Sequence, residues 1–204
     1  IAVLGNPVLP DNVDIMSLEE IVHPWLSDRA FRTILSVGRL HWLKNHRMLI
    51  SAFAEVREKM DNARLIILGE GKEKKWLMEF ARSKKIEDSI DFPGFQDNPY
   101  PFYKNADVFV LTSNWEGFGN VLVEAMACKV PVISTNCPGG PREILQGGRY
   151  GTLVEMDDVS GLRDAILRVF TQPDQQQVED ARNRAMEYTI ENIAQNYIRG
   201  IAPR

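Results

Sequence analysis

Cysteine is scarce in this sequence, and its scarcity narrows the class of protein at once. The chain contains two cysteines, Cys128 and Cys137, and they lack the paired spacing of metal-binding cysteines. Small secreted scaffolds that depend on several disulfides are therefore excluded. Two lone thiols in an otherwise ordinary composition favour a reduced, cytoplasmic compartment.

Long apolar runs and excess positive charge are also missing. No stretch approaches the roughly 20 apolar residues of a membrane-spanning helix, and no signal-peptide pattern is visible. The formal net charge is −4, without a long basic run. The sequence therefore argues against nucleic acid as a partner, while a local basic pocket for a phosphate remains compatible with it.

What the chain does contain is enough apolar material for a folded core. Of its 204 residues, 44% are apolar and 25% are charged, as in soluble globular proteins. This length suits one large domain or two small ones. The first residue is isoleucine and "IAVLGNP" already has the pattern of a strand, so we expect the sequence to be part of a longer protein.

Hydrophobic periodicity predicts an alternation of strands and helices from residue 32 onward. Six short apolar runs have the unbroken pattern of strands that are covered on both faces. Amphipathic helical patterns separate them, which is typical of a doubly wound, Rossmann-like α/β fold with a six-stranded parallel sheet. The predicted strands are 33–38, 64–69, 90–94, 107–113, 130–135 and 151–155, and the predicted helices lie within 46–60, 72–85, 119–129, 140–148, 159–170 and 174–200.

The familiar phosphate-binding motifs are missing. A dinucleotide fingerprint needs three glycines as G-x-G-x-x-G after the first strand, whereas "GRLHWLKN" has one glycine. Two other segments, "GEGKEK" and "GFGNVL", each lack the third glycine, and no G-x-x-x-x-G-K-[ST] occurs. The sequence therefore argues against an NAD site and excludes a P-loop.

Basic residues and a glycine-rich helix start occupy the places where such a sheet binds ligands. Arg39 and Lys44 follow the first predicted strand. The forked guanidinium of arginine and the compact ammonium of lysine both suit the oxygens of a diphosphate. The segment "EGFGN" follows the fourth strand and opens a helix whose free N–H groups can receive an anion. Ionised Glu116 and Glu124 only accept hydrogen bonds, which suits the hydroxyl groups of a sugar.

These segments together resemble a known enzyme family. "EGFGNVLVEAMA" resembles the E-x7-E motif of retaining GT-B glycosyltransferases, specifically family 4 (glycosyl transferases group 1). "SVGRLHWLKNHRMLISAF" resembles the diphosphate-binding segment of that family, and residues 106–145 resemble its usual run. The resemblance covers roughly residues 29–170 and is specific as a combination.

The resemblance implies a function and a set of site residues. The chain would bind a UDP- or GDP-sugar for retaining transfer of a hexosyl group to a hydroxyl of a lipid-linked or polysaccharide acceptor. Arg39 and Lys44 would bind and stabilise the diphosphate, Glu116 would hold the donor sugar, and Glu124 would bind the ribose. No cofactor is expected, because the nucleotide-sugar is a substrate, and the resemblance implies no metal ion, since the family usually needs none. The other implied donor-binding positions are Gly38, Gly94, Phe95, Gly117, Phe118, Gly119, Asn120, Val121 and Leu122.

The resemblance also implies a division of the chain. Residues 1–28 would be an inter-domain connector and edge segment, 29–171 the nucleotide-sugar-binding domain, and 172–204 a helical segment packing back toward an N-terminal domain that the sequence lacks. That missing domain would hold the acceptor, so we expect the chain alone to transfer little. Peripheral association of the full-length protein with the inner face of the cytoplasmic membrane is compatible with such acceptors.

Two other functions remain open from the sequence. A nucleotide-sugar epimerase of GT-B-like fold is disfavoured by the paired glutamates, and a non-catalytic nucleotide-sugar-binding module would share the same site. The individual residues also have structural interpretations, in which Arg39 and Lys44 are surface charges, Glu116 caps a helix and Glu124 is solvated.

Tryptophan and the glycine–proline loop allow weaker predictions. The four tryptophans are interpreted as core or loop anchors, with Trp115 shaping the donor-sugar pocket. Residues 138–141 stiffen a turn near the site, with or without a donor contact. Cys137 is interpreted as a small loop residue rather than a nucleophile, and Glu70 as part of a solvated loop.

Overall fold

Six parallel strands form one sheet at the centre of the chain. The computed structural model describes residues 6–201. The strand order is β3-β2-β1-β4-β5-β6, and all five pairings are parallel, which confirms the predicted doubly wound sheet. The strands are β1 (Arg32–Val37), β2 (Ala63–Leu68), β3 (Ile90–Gly94), β4 (Val108–Leu111), β5 (Val132–Thr135) and β6 (Thr152–Val154).

Successive side chains of β2 show why the predicted strands are continuous apolar runs. Leu65 and Ile67 pack into the core on one face of the sheet, and Ile66 and Leu68 pack into the core on the other. Both faces are buried, so every position along the strand favours an apolar residue. The middle of β2 therefore contains no polar side chain, and the polar side chains lie where the strands end.

Helices cover both faces. One core lies under α3 (His46–Lys59), α4 (Lys74–Ser83) and α8 (Val159–Thr171). The opposite core is covered by the remaining helices, which are α1 (Val13–Met16), α2 (Pro24–Ser27), α5 (Tyr100–Asn105), α6 (Asn120–Ala127), α7 (Pro141–Ile144), α9 (Gln175–Ala185) and α10 (Ile190–Ile201). Across residues 6–201, no helix combines the length and the apolar character that crossing a membrane would require.

The two ends of the described chain meet on the α6 face. Leu9 forms a parallel bridge with Thr189, and the amide of Ile190 donates to the Leu9 carbonyl at 3.1 Å. One nitrogen of Arg182 donates to both carboxylate oxygens of Asp14 at 2.9 Å. The sequence predicts a connector with an edge segment here; residues 6–28 contribute this bridge and two short helices, and the first five residues of "IAVLGNP" lie outside the described range.

His46 is buried at the start of α3 and titrates abnormally. Burial, with a smaller contribution from the charge of Lys44, lowers the pKa of His46 from 6.5 to about 4. The unfolded chain therefore binds more protons than the folded chain between these two values. Stability that is fully present above pH 6.5 is lost as the pH falls toward 4.

Acidification should therefore destabilise the fold through this one residue. Lowering the pH from 7 to 5 is expected to remove about 2 kcal/mol of unfolding free energy by way of His46. Urea unfolding of the wild type and of His46→Leu at both pH values measures this loss. Between pH 7 and pH 5, the unfolding free energy of the variant should fall by about 2 kcal/mol less than that of the wild type. Equal losses in the two proteins would contradict the assignment.

Candidate functional site

The loops that leave β1, β2 and β3 are joined through their backbones. The amide of Gly69 donates to the carbonyl of Gly94 at 2.8 Å, and the amide of Leu40 donates to the carbonyl of Glu70 at 2.8 Å. A Cβ on Gly69 would overlap the carbonyl oxygen of Gly38, so glycine permits this close approach. The loops therefore form one rigid edge at the carboxyl ends of the strands.

A cleft of about 530 Å³ opens at this edge. Arg39 is exposed on one wall, and the ring of Phe95 is 66% exposed. Glu124 reaches the same cleft from α6. The cleft is lined by Val37, Gly38, Arg39, Leu68, Gly69, Glu70, Phe95, Gln96, Asp97, Pro99 and Glu124. It thus combines a cation, carboxylates and an aromatic surface around a concave space.

One oxygen of Glu124 is anchored by a buried tyrosine. The hydroxyl of Tyr103, which is fully buried on α5, donates to Oε2 of Glu124 at 2.9 Å. Burial raises the pKa of the Glu124 carboxyl, and the hydrogen bond from Tyr103 partly opposes that rise. Oε1 of Glu124 has no hydrogen-bond partner among the side chains and backbone groups that the structure describes. The carboxyl is therefore oriented by the protein with one oxygen left available.

Glu116 also has one carboxylate oxygen held by the protein, here by a serine and a lysine. Its Oε1 accepts a hydrogen bond from Ser113 Oγ at 2.6 Å and forms an ion pair with Nζ of Lys44. The other oxygen, Oε2, has no partner within the described part of the chain. A Cβ on Gly38 would lie 3.4 Å from Cε of Lys44, so the lysine stem runs past Gly38. Gly38 therefore adjoins both the Lys44–Glu116 pair and the cleft that holds Glu124.

The loop after β5 packs directly on the Glu116 segment. The amide of Glu116 donates to the carbonyl of Pro138 at 3.1 Å. Gly139 has a φ of +114°, and a Cβ there would overlap the carbonyl oxygen of Glu116. A Cβ on Gly140 would likewise overlap the carbonyl oxygen of Phe118. The predicted stiff turn at 138–141 therefore holds the glutamate loop in place.

The predicted donor-binding positions fall into three groups. Gly38, Arg39, Phe95 and Glu124 line the cleft, and Gly94 supports it through its carbonyl. Lys44 and Glu116 pair beside it. The rest lie at the start of α6, where Gly117, exposed Asn120 and half-buried Val121 accompany Gly119, the residue that caps the helix at φ +101°.

Two positions of this third group turn inward. Leu122 is fully buried in the core, and its amide donates to the carbonyl of Gly119 at 2.9 Å. The ring of Phe118 packs edge-on against Tyr188, with centroids 5.4 Å apart. The side chains of both residues therefore stabilise the helix start and do not line the cleft.

Sequence reasoning missed the partners that orient the two acids. Ser113 and Tyr103 carry no motif of their own, and only the folded chain brings them to Glu116 and Glu124. Glu70, predicted to be part of a solvated loop, is exposed as expected, and it also lines the cleft. Cys137 is buried, and burial raises the pKa of its thiol, which disfavours the nucleophilic thiolate.

Comparison with models of known protein families shows which family the chain belongs to. The family model described as glycosyl transferases group 1 matches residues 19–191. The chain belongs to this family. The prediction made from the E-x7-E segment and the diphosphate-binding segment is thereby confirmed at the level of the family.

Curated relatives and a solved structure agree with this membership. An uncharacterised glycosyltransferase of Methanocaldococcus jannaschii is 29% identical over 93% of this chain and 56% of its own length. A 4-alpha-N-acetylgalactosaminyltransferase of Campylobacter jejuni is 36% identical over 78% of this chain and 41% of its own length. HepE of Anabaena, solved with UDP, shares the fold with a TM-score of 0.77 and 24% identity, over 84% of this chain and 49% of HepE. The chain thus spans about half the length of these relatives.

Because a Cβ at Gly139 would overlap the Glu116 carbonyl, replacing Gly139 by alanine should destabilise the fold more than the same change at Gly148. Gly148 also has a positive φ, +107°, but a Cβ there meets nothing within 4 Å. Gly148→Ala is expected to cost about 1 kcal/mol of backbone strain, and Gly139→Ala about 2 kcal/mol more from the clash with Glu116. Thermal or urea unfolding of the two variants measures the difference. Equal destabilisation would mean that the loop after β5 does not bear on Glu116 as described.

Proposed function

We propose that this chain is the donor-binding domain of a retaining hexosyltransferase that uses a UDP- or GDP-sugar. The complete enzyme would transfer the hexosyl group to a hydroxyl of a lipid-linked or polysaccharide acceptor. The acceptor would bind mainly to a further domain, so this chain alone would bind donor weakly and transfer little. Family membership supports glycosyl transfer in general, and the site geometry supports the assignment of roles.

One observation carries the proposal. Glu116 and Glu124, eight residues apart, each have one carboxylate oxygen fixed by the protein and the other without a partner among the groups that the structure describes. A carboxylate held in this way can accept a hydrogen bond from a ligand hydroxyl without first having to be ordered. Glu124, in the cleft, would take a ribose hydroxyl, and Glu116 would take a hydroxyl of the transferred sugar.

The cations supply the diphosphate-binding part of the site. Arg39 lies exposed in the cleft and can present two parallel N–H groups to phosphate oxygens. The ammonium of Lys44 has three N–H groups, so it can keep its bond to Glu116 and still donate to a phosphate. Negative charge that develops on the leaving diphosphate would be stabilised by both cations.

We also infer that transfer proceeds without a metal ion. The positive charge that a metal would otherwise provide at a diphosphate is available from Arg39 and Lys44. A metal requirement in the complete enzyme, tested by chelation, would contradict this inference.

The relatives guide the choice of donor and acceptor to be tested first. The Campylobacter jejuni enzyme is named as an N-acetylgalactosaminyltransferase that acts on a diphospho-undecaprenol-linked sugar. HepE, which has the same fold, was solved with UDP. UDP-N-acetylhexosamines and polyprenyl-linked acceptors are therefore the first candidates in a screen of the complete protein.

Titration with UDP and uridine should separate the two halves of the site. Glu124→Ala is expected to weaken binding of both ligands about tenfold or more, because both contain the ribose. Lys44→Ala should weaken UDP and leave uridine unchanged, because uridine lacks the diphosphate. Calorimetry or NMR titration of this chain provides the measurement, with thermal unfolding to check that each variant is folded.

Glu79→Ala serves as the control, because Glu79 is exposed on α4 and does not line the cleft. It should bind both ligands like the wild type. Identical affinities for Glu124→Ala and Glu79→Ala would remove the ribose role of Glu124. Wild-type affinity of Lys44→Ala for UDP would remove the diphosphate role of Lys44.

A further inference from the structure

A second, larger cleft lies on the other side of the turn that carries Lys44. Its volume is about 1000 Å³, and it is bounded by the Trp42–Asn45 turn, the starts of α3 and α4, and the loop between β6 and α8. Lys44 leaves this turn toward Glu116, whereas Trp42 and Asn45 line the second cleft. The turn is thus a wall shared by the two sites.

Aromatic surface is exposed in this cleft. Trp42 is 59% exposed and Trp76 is 45% exposed, although both were predicted to be core or loop anchors. Trp76 stacks in parallel on Phe80, with centroids 5.2 Å apart and 7° between the planes. Exposed large apolar side chains in a concave site mark a binding surface more often than an accident of packing. The stacking also holds Trp76 in place on α4.

Amide and carboxylate groups border the aromatic surface and are themselves fixed. The side-chain amide of Asn45 donates to Oδ1 of Asn114 at 2.9 Å and to Oδ1 of Asp157 at 3.1 Å. Asn114 in turn donates to the Trp42 carbonyl at 3.1 Å. The turn is therefore tied to the loops after β4 and β6, and a ligand would not need to order it.

Charge in the cleft is nearly balanced. Its charged side chains are those of Arg47, Glu73 and Asp157, and burial lowers the pKa of His46 to about 4, so that His46 is uncharged at neutral pH. A nucleic acid or an anionic lipid surface would need an excess of cations that these side chains do not provide. A neutral ligand suits the site better.

We propose that this second cleft binds a neutral glycan chain. The C–H faces of sugar rings would cover the exposed indoles of Trp42 and Trp76, because these faces are apolar and flat. The ring hydroxyls would meet the polar groups of Asn45, Asn114 and Asp157 at the edge. Binding itself does not depend on the proposed function; only the interpretation of the glycan as the growing acceptor, held beside the donor, rests on it.

Titration with two neutral oligosaccharides tests the proposal. The probes are maltoheptaose and hexa-N-acetylchitohexaose, followed by tryptophan fluorescence and by the indole N–H signals in NMR spectra without nucleotide. At least one probe should bind saturably and shift the indole signals of Trp42 and Trp76. Trp42→Ala and Trp76→Ala should each weaken binding about tenfold, whereas Trp42→Phe keeps an aromatic face and should weaken it less.

Met78→Ala is the matched control, because Met78 is 48% exposed on the same helix as Trp76 and does not line the cleft. It should bind like the wild type. Failure of both probes to bind up to their solubility limits would overturn the proposal, as would wild-type affinity in both alanine variants. Concentration-dependent self-association that either tryptophan variant abolishes would also overturn it, by assigning the surface to a protein contact.

UDP titration of the same samples separates this proposal from the donor assignment. The tryptophan variants should bind UDP like the wild type, because Trp42 and Trp76 do not line the smaller cleft. UDP binding without glycan binding would refute the second cleft alone. Glycan binding without UDP binding would refute the donor assignment and leave the second cleft in place.

Discussion

The ion pair between Lys44 and Glu116 joins the loop after β1 to the loop after β4, across the point where the strand order reverses. Removing either partner of such a partly buried pair would leave the other charge buried and unpaired, which is strongly destabilising. Ser113 satisfies the glutamate further, and Pro138 accepts from its backbone. The positions of both clefts follow from this junction, since the Lys44 turn separates them.

Most of the fold could be predicted from the sequence. Strands covered on both faces produce unbroken apolar runs, and those six runs correspond to the six observed strands. The motif containing Glu116 and Glu124 could also be found, because its spacing lies within one segment of chain. Ser113 and Tyr103 could not be identified as partners of these acids from the sequence, because serine and tyrosine occur in many roles and only tertiary packing brings them to the two glutamates.

Surface arrangement was harder to predict than core arrangement. Trp42 and Trp76 lie in segments with ordinary helix or turn patterns, and a tryptophan in such a pattern is usually buried. The turn that carries Trp42 is positioned by hydrogen bonds to the loops after β4 and β6. These contacts join residues about 70 and 110 positions apart, a distance over which local periodicity carries no information.

The hydrogen bond between Tyr103 and Glu124 has a consequence for the proton balance of the site. Burial favours the protonated carboxyl of Glu124, and the tyrosine hydroxyl favours the ionised one. A ligand hydroxyl that donates to the open oxygen adds to the second effect and draws the carboxyl toward its ionised form. Binding of such a ligand would therefore lower the pKa of Glu124, and a pH low enough to protonate this carboxyl would weaken the binding of the ligand by the same linkage.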